Sequence, residues 1–426
     1  MPWPSGRSAA ADAEALHVVT KRLPADHPLA RRPLLSLLPA GPTVAWVRGE
    51  EGLVGWGEAA SARFTGSERF SRAMLWWQQR LSAVLVDDEV DGPGSGPVAF
   101  GSFAFDADPG TSVVVVPSVL VGRRGGSSWL TTIGHPSPVD LPDDPVPAPR
   151  AVRWVQGTVP PERWAEAVRS VVTRIEAGEL DKVVLARDLW AEVDGPLDER
   201  HLMEQLHLDY PQCWTFHVAD LVGATPELLV RREGAEVTSR VLAGTVGRSL
   251  AADQPSDEAA AAALLASDKD LNEHAYAVTS VADALARHCT DLAVPAGPTV
   301  LRLANVQHLA TDIRATLADG ASALALAASL HPTAAVCGTP TERARSIIKS
   351  VEGMDRGRYA GPVGWVDRRG DGEFGIALRC GELDREHNRV RVFAGCGLVA
   401  GSDPQAELAE SAAKFAAMQC ALEPPS

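Results

Sequence analysis

Short apolar runs fenced by glycine and proline dominate the first third of the chain: Thr43-Val-Ala-Trp-Val47, Leu53-Val-Gly-Trp-Gly57, Val98-Ala-Phe-Gly-Ser-Phe-Ala-Phe105, Ser112-Val-Val-Val-Val116 and Trp129-Leu-Thr-Thr-Ile133. Runs of this length and punctuation are strand signals. Between them, residues 67–86 lack a breaker and carry Met74, Leu75, Trp76 and Trp77, which predicts one helix. The tryptophans are read as core rather than as a binding platform.

A Pro-rich passage, Pro136 to Pro149, reads as a connection between residues 1–150, a strand-rich N-terminal subdomain, and the remainder, 151–423. Beyond it, Pro160 to Gly178 places Trp164, Val168, Val171, Val172 and Ile175 at helical spacing and ends on a glycine stop. The strand Asp181 to Asp188 follows, with Lys182 on the face of Val184 and Ala186. An ammonium on such a face can be desolvated, which lowers its pKa and suits it to act as a base; an edge lysine with its head in water is the plain alternative.

Further on, Leu221 to Val230 and Val237 to Gly247 read as two strands around a polar turn. Glu227 follows Pro226 at a strand start, as a buried acid or an ordinary exposed one. Gly244-Thr245 can bring backbone N–H groups close to an anion, or simply bend. The Ala-rich segment Asp257 to Ala286 predicts one helix, on which Asp270 and Glu273 share a face. Asn305 to Leu309 ends a strand with His308, and a helix at about 321–330 precedes His331-Pro-Thr-Ala-Ala-Val-Cys-Gly-Thr-Pro340. Gly357 to Asp367, Glu373 to Arg379 and Arg389 to Gly395 read as three antiparallel strands. Arg379 then closes an apolar strand, where a guanidinium suits a carboxylate ligand or a structural ion pair.

Ala394 to Phe415 reads as an apolar strand, a glycine-rich turn and a helix opened by Ser402-Asp403-Pro404. At ~100° per residue, Glu407, Glu410 and Lys414 fall on one face and Leu408, Ala412 and Phe415 on a neighbouring apolar stripe. Two carboxylates at this spacing suit Mg²⁺, which takes one or two carboxylates and keeps positions for an anionic substrate. A solvated surface face is the commoner use of such a pattern.

At 426 residues and 45% hydrophobic content, the chain can bury one large core or two ordinary ones. It carries no run of 18 apolar residues, and Met1 to Arg7 lacks a secretory pattern, so a soluble cytoplasmic protein is expected. Six scattered cysteines without C-x-x-C argue against a zinc site or disulfide framework and read as small buried hydrophobes. A formal charge of −15 argues against nucleic-acid or anionic-membrane surfaces. An anionic ligand would need a local cluster or a metal.

Together, Lys182-Val-Val-Leu-Ala-Arg187, Thr225-Pro-Glu227, Leu242-Ala-Gly-Thr245, Lys269-Asp-Leu-Asn-Glu-His274, Val306-Gln-His308, His331-Pro-Thr333, Arg358-Tyr-Ala-Gly361 and Ala394-Gly-Cys-Gly397 resemble, in order, the chorismate-utilising enzymes. These include isochorismate and salicylate synthases and the synthase subunits for anthranilate and aminodeoxychorismate. The resemblance covers Trp154 to Met418. It implies an α+β domain of two large antiparallel sheets packed against each other with helices outside, the site lying in the cleft between them. The Pro-rich boundary then becomes a subdomain junction.

The resemblance further implies Mg²⁺ bridging the ring carboxylate of chorismate to Glu273 and Glu410, with Asp270 and Glu407 nearby. Arg379, Tyr359, Lys414 and the backbone at Gly395 would surround the enolpyruvyl carboxylate. Gly244 and Thr245 would meet the ring carboxylate, with His308 beside the ring. Lys182 maps to the base that activates water against ring carbon 2, and Glu227 to the acid for the departing hydroxyl of carbon 4.

Within the family, a lysine at position 182 favours water over ammonia, so no glutaminase partner is expected. Aminodeoxychorismate synthases carry a lysine nucleophile where this chain has Ala243. Salicylate synthases tend to have threonine at the position of Ala335, where isochorismate synthases have a small apolar residue; Tyr359 also occurs in the lyases. The expectation is therefore an isochorismate synthase of menaquinone or siderophore type, with salicylate synthase as the alternative. A catalytically silent chorismate sensor would be expected to lack the acid or the base, and both Lys182 and Glu227 are present. No amphipathic repeat demands a partner, so a monomer is expected.

Overall fold

The computed structural model describes residues 16–134, 136, 145–247, 254–304 and 306–423. The N-terminal residues 1–15, most of the Pro-rich passage and Asn305 lie outside the described residues. Two sheets carry the chain. The thirteen-stranded first sheet runs from Ala151–Gln156 through Lys182–Asp194, Arg389–Leu398, Cys380–Asp384, Leu221–Thr225, Trp214–Val218, Thr43–Arg48, Glu51–Trp56, Val119–Arg124, Ser127–Ile133 and Leu16–Leu23 to Val84–Asp88. A short strand, Gly338–Thr339, pairs beside Lys182–Asp194.

The ten-stranded second sheet runs from Cys289–Ala293 through Val306–Leu317, Glu236–Gly247, Leu228–Glu233, Gly372–Ile376, Pro362–Asp367, Val98–Ser102 and Thr111–Val116 to Ala60–Thr65, with Thr299–Arg302 beside Val306–Leu317. Pairing is antiparallel except where Leu16–Leu23 meets Val84–Asp88. Strands from the first 134 residues form a contiguous end of each sheet.

Side chains from the two sheets meet in a shared core. The indoles of Trp46 and Trp214, on the first sheet, both donate to Glu373 on the second across the gap. A second core joins the outer face of the first sheet, through Val47, Val222 and Val390, to helices Glu199–Asp209 and Pro404–Leu422. Six tryptophans, Trp46, Trp77, Trp129, Trp164, Trp214 and Trp365, are buried. No described helix is long and apolar enough to cross a membrane.

Local chemistry sets the helix ends. Pro161–Glu176 buries Trp164, Val168, Val171, Val172 and Ile175, and Gly178 takes φ +78° just beyond it. Pro404–Leu422 starts where the Asp403 side chain accepts from Gln405 and Ala406 N–H groups at 3.0 and 2.8 Å. Its buried face is Glu407, Ser411, Phe415, Met418 and Leu422; Ala412, read as part of the apolar stripe, is exposed.

Several expected elements divide. The helix read at 67–86 covers Arg69–Leu81, because Val84–Asp88 is recruited as an edge strand by Leu16–Leu23. The Ala-rich helix splits into Gln254–Ala266 and Asp268–Leu285, since the Ser267 hydroxyl accepts from Asp270 N–H and caps the second helix. His308 stands near the start, not the end, of Val306–Leu317.

Two further divisions place the site. Leu221–Thr225 belongs to the first sheet and Leu228–Glu233 to the second, so Pro226-Glu227 is a crossing between them. The three strands expected at the C-terminal end are four, and Gly372–Ile376 passes from the second sheet to Cys380–Asp384 in the first through Arg379, at φ +49°. The two crossings touch: Ile376 N–H donates to the Glu227 carbonyl at 3.3 Å, and Ala224 N–H to the Arg379 carbonyl at 3.1 Å. An acid and a guanidinium are thereby delivered to the space between the sheets.

Candidate active site

A cleft opens at these crossings. It is lined by Glu227, Gly244, Thr245, Glu273, His308, Ala335, Tyr359, Arg379, Gly395 and Lys414, all singled out in the sequence. Lys182, Asp270, Glu407 and Glu410 stand behind this wall rather than in it. Lys182 is fully buried, its Nζ 3.2 Å from Glu273 Oε1 and 3.3 Å from the Glu273 carbonyl oxygen.

Burial decides the state of Glu227. The residue is 3% exposed, and desolvation pushes its pKa up to about 8 against a hydrogen bond from the Leu242 backbone and the charges of Lys182 and Lys414. At neutral pH it is an acid with a proton to give.

The opposite wall is rich in donors. Gly244 takes φ +76° as the extra residue of a bulge, so that Ala243 opposes Leu309 and Thr245 opposes His308. The His308 ring lies between Thr245 Oγ1 and Arg379 Nη2, each 3.0 Å away. Burial, then Arg379 and Lys414, hold its pKa well below the ordinary value. A guanidinium can only donate, so Nε2 accepts and the neutral ring carries its proton on Nδ1, which is shared between Thr245 Oγ1 and the Gly244 backbone carbonyl. The Thr245 hydroxyl proton is then available to a ligand. Arg379 has a further buried nitrogen, Nη1, without a hydrogen-bond partner, and makes no ion pair among the described residues.

Lys414 donates to the Gly395 carbonyl at 2.8 Å and pairs with Glu410 at 2.6 Å. Burial is the largest single influence and opposes its charge, but the charge and hydrogen bond of Glu410, with Cys396, together raise its pKa above the ordinary value. Tyr359 stacks on Phe393 with 5.0 Å between centroids, and its hydroxyl would lie 3.1 Å from a Cβ added at Gly395. Glycine there keeps the tyrosine close to the strand.

Two residues that lie in the quoted motifs but were given no role complete the site. A Cβ at Gly397 would fall 1.9 Å from Glu273 Oε1 and 3.2 Å from Lys182 Cε, so the Lys182–Glu273 contact needs glycine. A glycine inside a strand pattern was the available signal. His274, beside Glu273, bonds the Ala243 carbonyl at 3.2 Å and Thr311 Oγ1 at 2.7 Å, fastening the carboxylate helix to the bulged strand.

The carboxylates suit a hard divalent cation. Glu407, Glu273 and Glu410 each face one ammonium: Lys269 at 2.7 Å, Lys182 at 3.2 Å and Lys414 at 2.6 Å. Asp270 has no such partner among the described residues, and burial followed by Glu273 raises its pKa; burial followed by Glu410 does the same to Glu407. Mutual repulsion of this kind is relieved by a cation. Glu407 and Glu410 form a compact group with Cys396, ligand atoms within 4.8 Å of one another, while Glu273 is turned towards Lys182. Burial raises the Cys396 pKa well above the ordinary value and its thiol donates to the Glu407 carbonyl, which leaves oxygen donors to the ion. The other cysteines are free and buried, except Cys420, which is exposed against expectation.

The model of the chorismate binding enzyme family matches residues 13–423. The chain belongs to the chorismate-binding enzymes. Among members of this family, the isochorismate synthase DhbC of Bacillus subtilis (strain 168) is 42% identical over 275 residues, 62% of this chain and 68% of that protein. A putative isochorismate synthase, MenF, of Mycobacterium tuberculosis (strain H37Rv) is 38% identical over 77% of this chain and 87% of that protein. The crystal structure of the putative 2,3-dihydroxybenzoate-specific isochorismate synthase DhbC from Bacillus anthracis superposes with TM-score 0.77 at 32% identity, covering 91% of this chain and 98% of that one. The two-sheet architecture expected of a chorismate-binding enzyme is thus the observed one.

Proposed function

We propose that this chorismate-binding enzyme isomerises chorismate to isochorismate with Mg²⁺. The carrying observation is Glu227, which the cleft keeps protonated up to about pH 8. An acid at that position can protonate the carbon 4 hydroxyl, which leaves as water, while Lys182 takes a proton from the water that adds at carbon 2. Base action requires Lys182 to part from Glu273 and give up a proton. Acid and base assistance of this kind is typically worth ~10²–10⁴-fold.

Arg379, through its unspent Nη1, and Lys414 hold the enolpyruvyl carboxylate, with Tyr359 and the Gly395 backbone beside them. Thr245 and the Gly244 bulge receive the ring carboxylate, and neutral His308 keeps Thr245 a donor. Glu273 and Glu410, with Asp270 and Glu407 behind, would hold Mg²⁺ once Glu273 turns from Lys182, and the ion would supply the positive charge that a dianion needs in a protein of formal charge −15. Ala335 leaves the wall small and apolar, which supports release of isochorismate.

Incubation with chorismate and Mg²⁺, product chromatography and a pyruvate assay test this reading. Isochorismate in equilibrium with chorismate, without pyruvate, is expected. Salicylate with equimolar pyruvate would make the enzyme a lyase, and chorismate binding without conversion would make it a silent homologue.

A further inference from the structure

The Lys182–Asp194 strand is fully paired along one edge only. Arg389–Leu398 covers Val183 to Glu192 on that side. On the other, Gly338–Thr339 reaches Lys182 and Val183, and Ala151–Gln156 covers Leu189 to Asp194. The backbone between these two partners faces no strand, although it adjoins the cleft.

The Cys337 carbonyl takes Val184 N–H at 2.7 Å and the Trp164 indole donates to the Ala186 carbonyl at 3.0 Å, and a buried ion pair fills the rest of the gap. Glu352 and Arg356, whose side chains are 1% and 3% exposed, meet at 2.6 Å. Glu352 Oε2 accepts from Ala186 N–H at 2.8 Å, and Arg356 Nη2 donates to the Val184 carbonyl at 2.8 Å. The pair therefore offers the strand one acceptor and one donor, as a neighbouring strand would. Arg356 reaches further: Nη1 donates to the Val336 carbonyl at 2.8 Å, and the guanidinium lies 4.3 Å from the Phe105 ring centroid.

Val184 and Val336 both line the cleft, Lys182 precedes Val184 on the same strand, and Ala335 adjoins Val336. One guanidinium thus fixes the strand of the proposed base against the wall that limits the substrate. Buried ion pairs add little net stability over apolar residues of similar volume; what this pair adds is geometry, because its fork sets three backbone groups at fixed separations.

We infer that Glu352 and Arg356 are positioning residues that hold the Lys182 strand and the Ala335-Val336 wall in register across the cleft. The catalytic consequence rests on the isomerase reading above; the clamp itself does not.

Arg356→Lys keeps the charge but cannot span the carboxylate and both carbonyls. Its kcat is expected to fall about 100-fold, the typical effect of a reacting group displaced by about 1 Å, with the chorismate KM nearly unchanged. Glu352→Gln removes the countercharge of Arg356 and turns an amide N–H2 towards its donors, so it is expected to lower kcat as well. In Arg356→Ala, added guanidinium is expected to restore kcat where ammonium at equal ionic strength does not. Amide hydrogen exchange supplies the readout without turnover: Ala186 should exchange faster in Arg356→Lys while residues 189–194 keep their protection. Wild-type kcat in Arg356→Lys, or a kcat loss that follows the melting temperature and ignores guanidinium, would overturn the inference. Should the wild-type protein leave chorismate unchanged, the isomerase reading fails and exchange alone decides: unaltered exchange at Ala186 refutes the clamp, and faster exchange supports it.

Discussion

Glu227 and Glu373 are both buried in the gap between the sheets, 3% and 5% exposed, the first at a crossing from one sheet to the other and the second in a strand of the second sheet. Their ionisation is opposite. Burial would raise the pKa of Glu373, yet Arg231 and Arg124, with the indole N–H groups of Trp46 and Trp214, bring it below the ordinary value. Glu227 has a backbone hydrogen bond and more distant lysines, and desolvation wins. Depth alone therefore assigns no role. The donors around a buried carboxylate decide whether it becomes an anchor or an acid.

This contrast is sharpest in kinetics. Glu227→Gln is expected to lower kcat by about 10²–10⁴-fold in the isochorismate assay, with the circular dichroism spectrum unchanged. Wild-type turnover in that variant would break the contrast on the acid side.

Glu373→Gln should do the reverse. It leaves Arg124 and Arg231 short of a countercharge and is expected to cost about 2–4 kcal/mol of stability by denaturant unfolding, discounted for the partial exposure of both arginines, with kcat preserved. A stable variant with impaired turnover would assign Glu373 to the chemistry instead.

The pH dependence separates the pair again. Activity should decline as pH rises through about 8, where Glu227 loses its proton. Between the ordinary carboxylate range and that value, the folded state holds a proton that the unfolded state has released, so Glu227 makes stability fall as pH rises. Glu373, its pKa lowered, contributes stability that is present at neutral pH and lost as pH falls through its folded pKa. Melting temperatures across pH in the wild type and Glu227→Gln should show the part of the slope between the ordinary carboxylate range and about pH 8 disappear in the variant.

The smallest expected effect is at the donor wall. Thr245→Val removes one hydroxyl donor and should raise the chorismate KM by about tenfold, near the upper end for a single hydrogen bond. An unchanged KM would show that the Gly244 bulge backbone suffices.

Much of the site was legible in the chain because its residue types carry their chemistry locally. A capped helix presents Glu407, Glu410 and Lys414 at fixed angles, and the ordered motifs point to one family. Gly397 was not legible, because its need arises from Glu273, which arrives from a helix more than a hundred residues earlier. Glu352 and Arg356 sit i, i+4 at the end of a helix, and sequence cannot show that the strand they serve lacks a neighbour there.

By itself, then, the sequence determined the periodicities, the caps and the inventory of acids, bases and donors, since these depend on neighbours along the chain. Only the tertiary structure decided that 221–230 and 372–384 each cross between sheets, and which buried glutamate keeps its proton. Desolvation and pairing are set by groups distant in sequence, and the crossings bring those groups together.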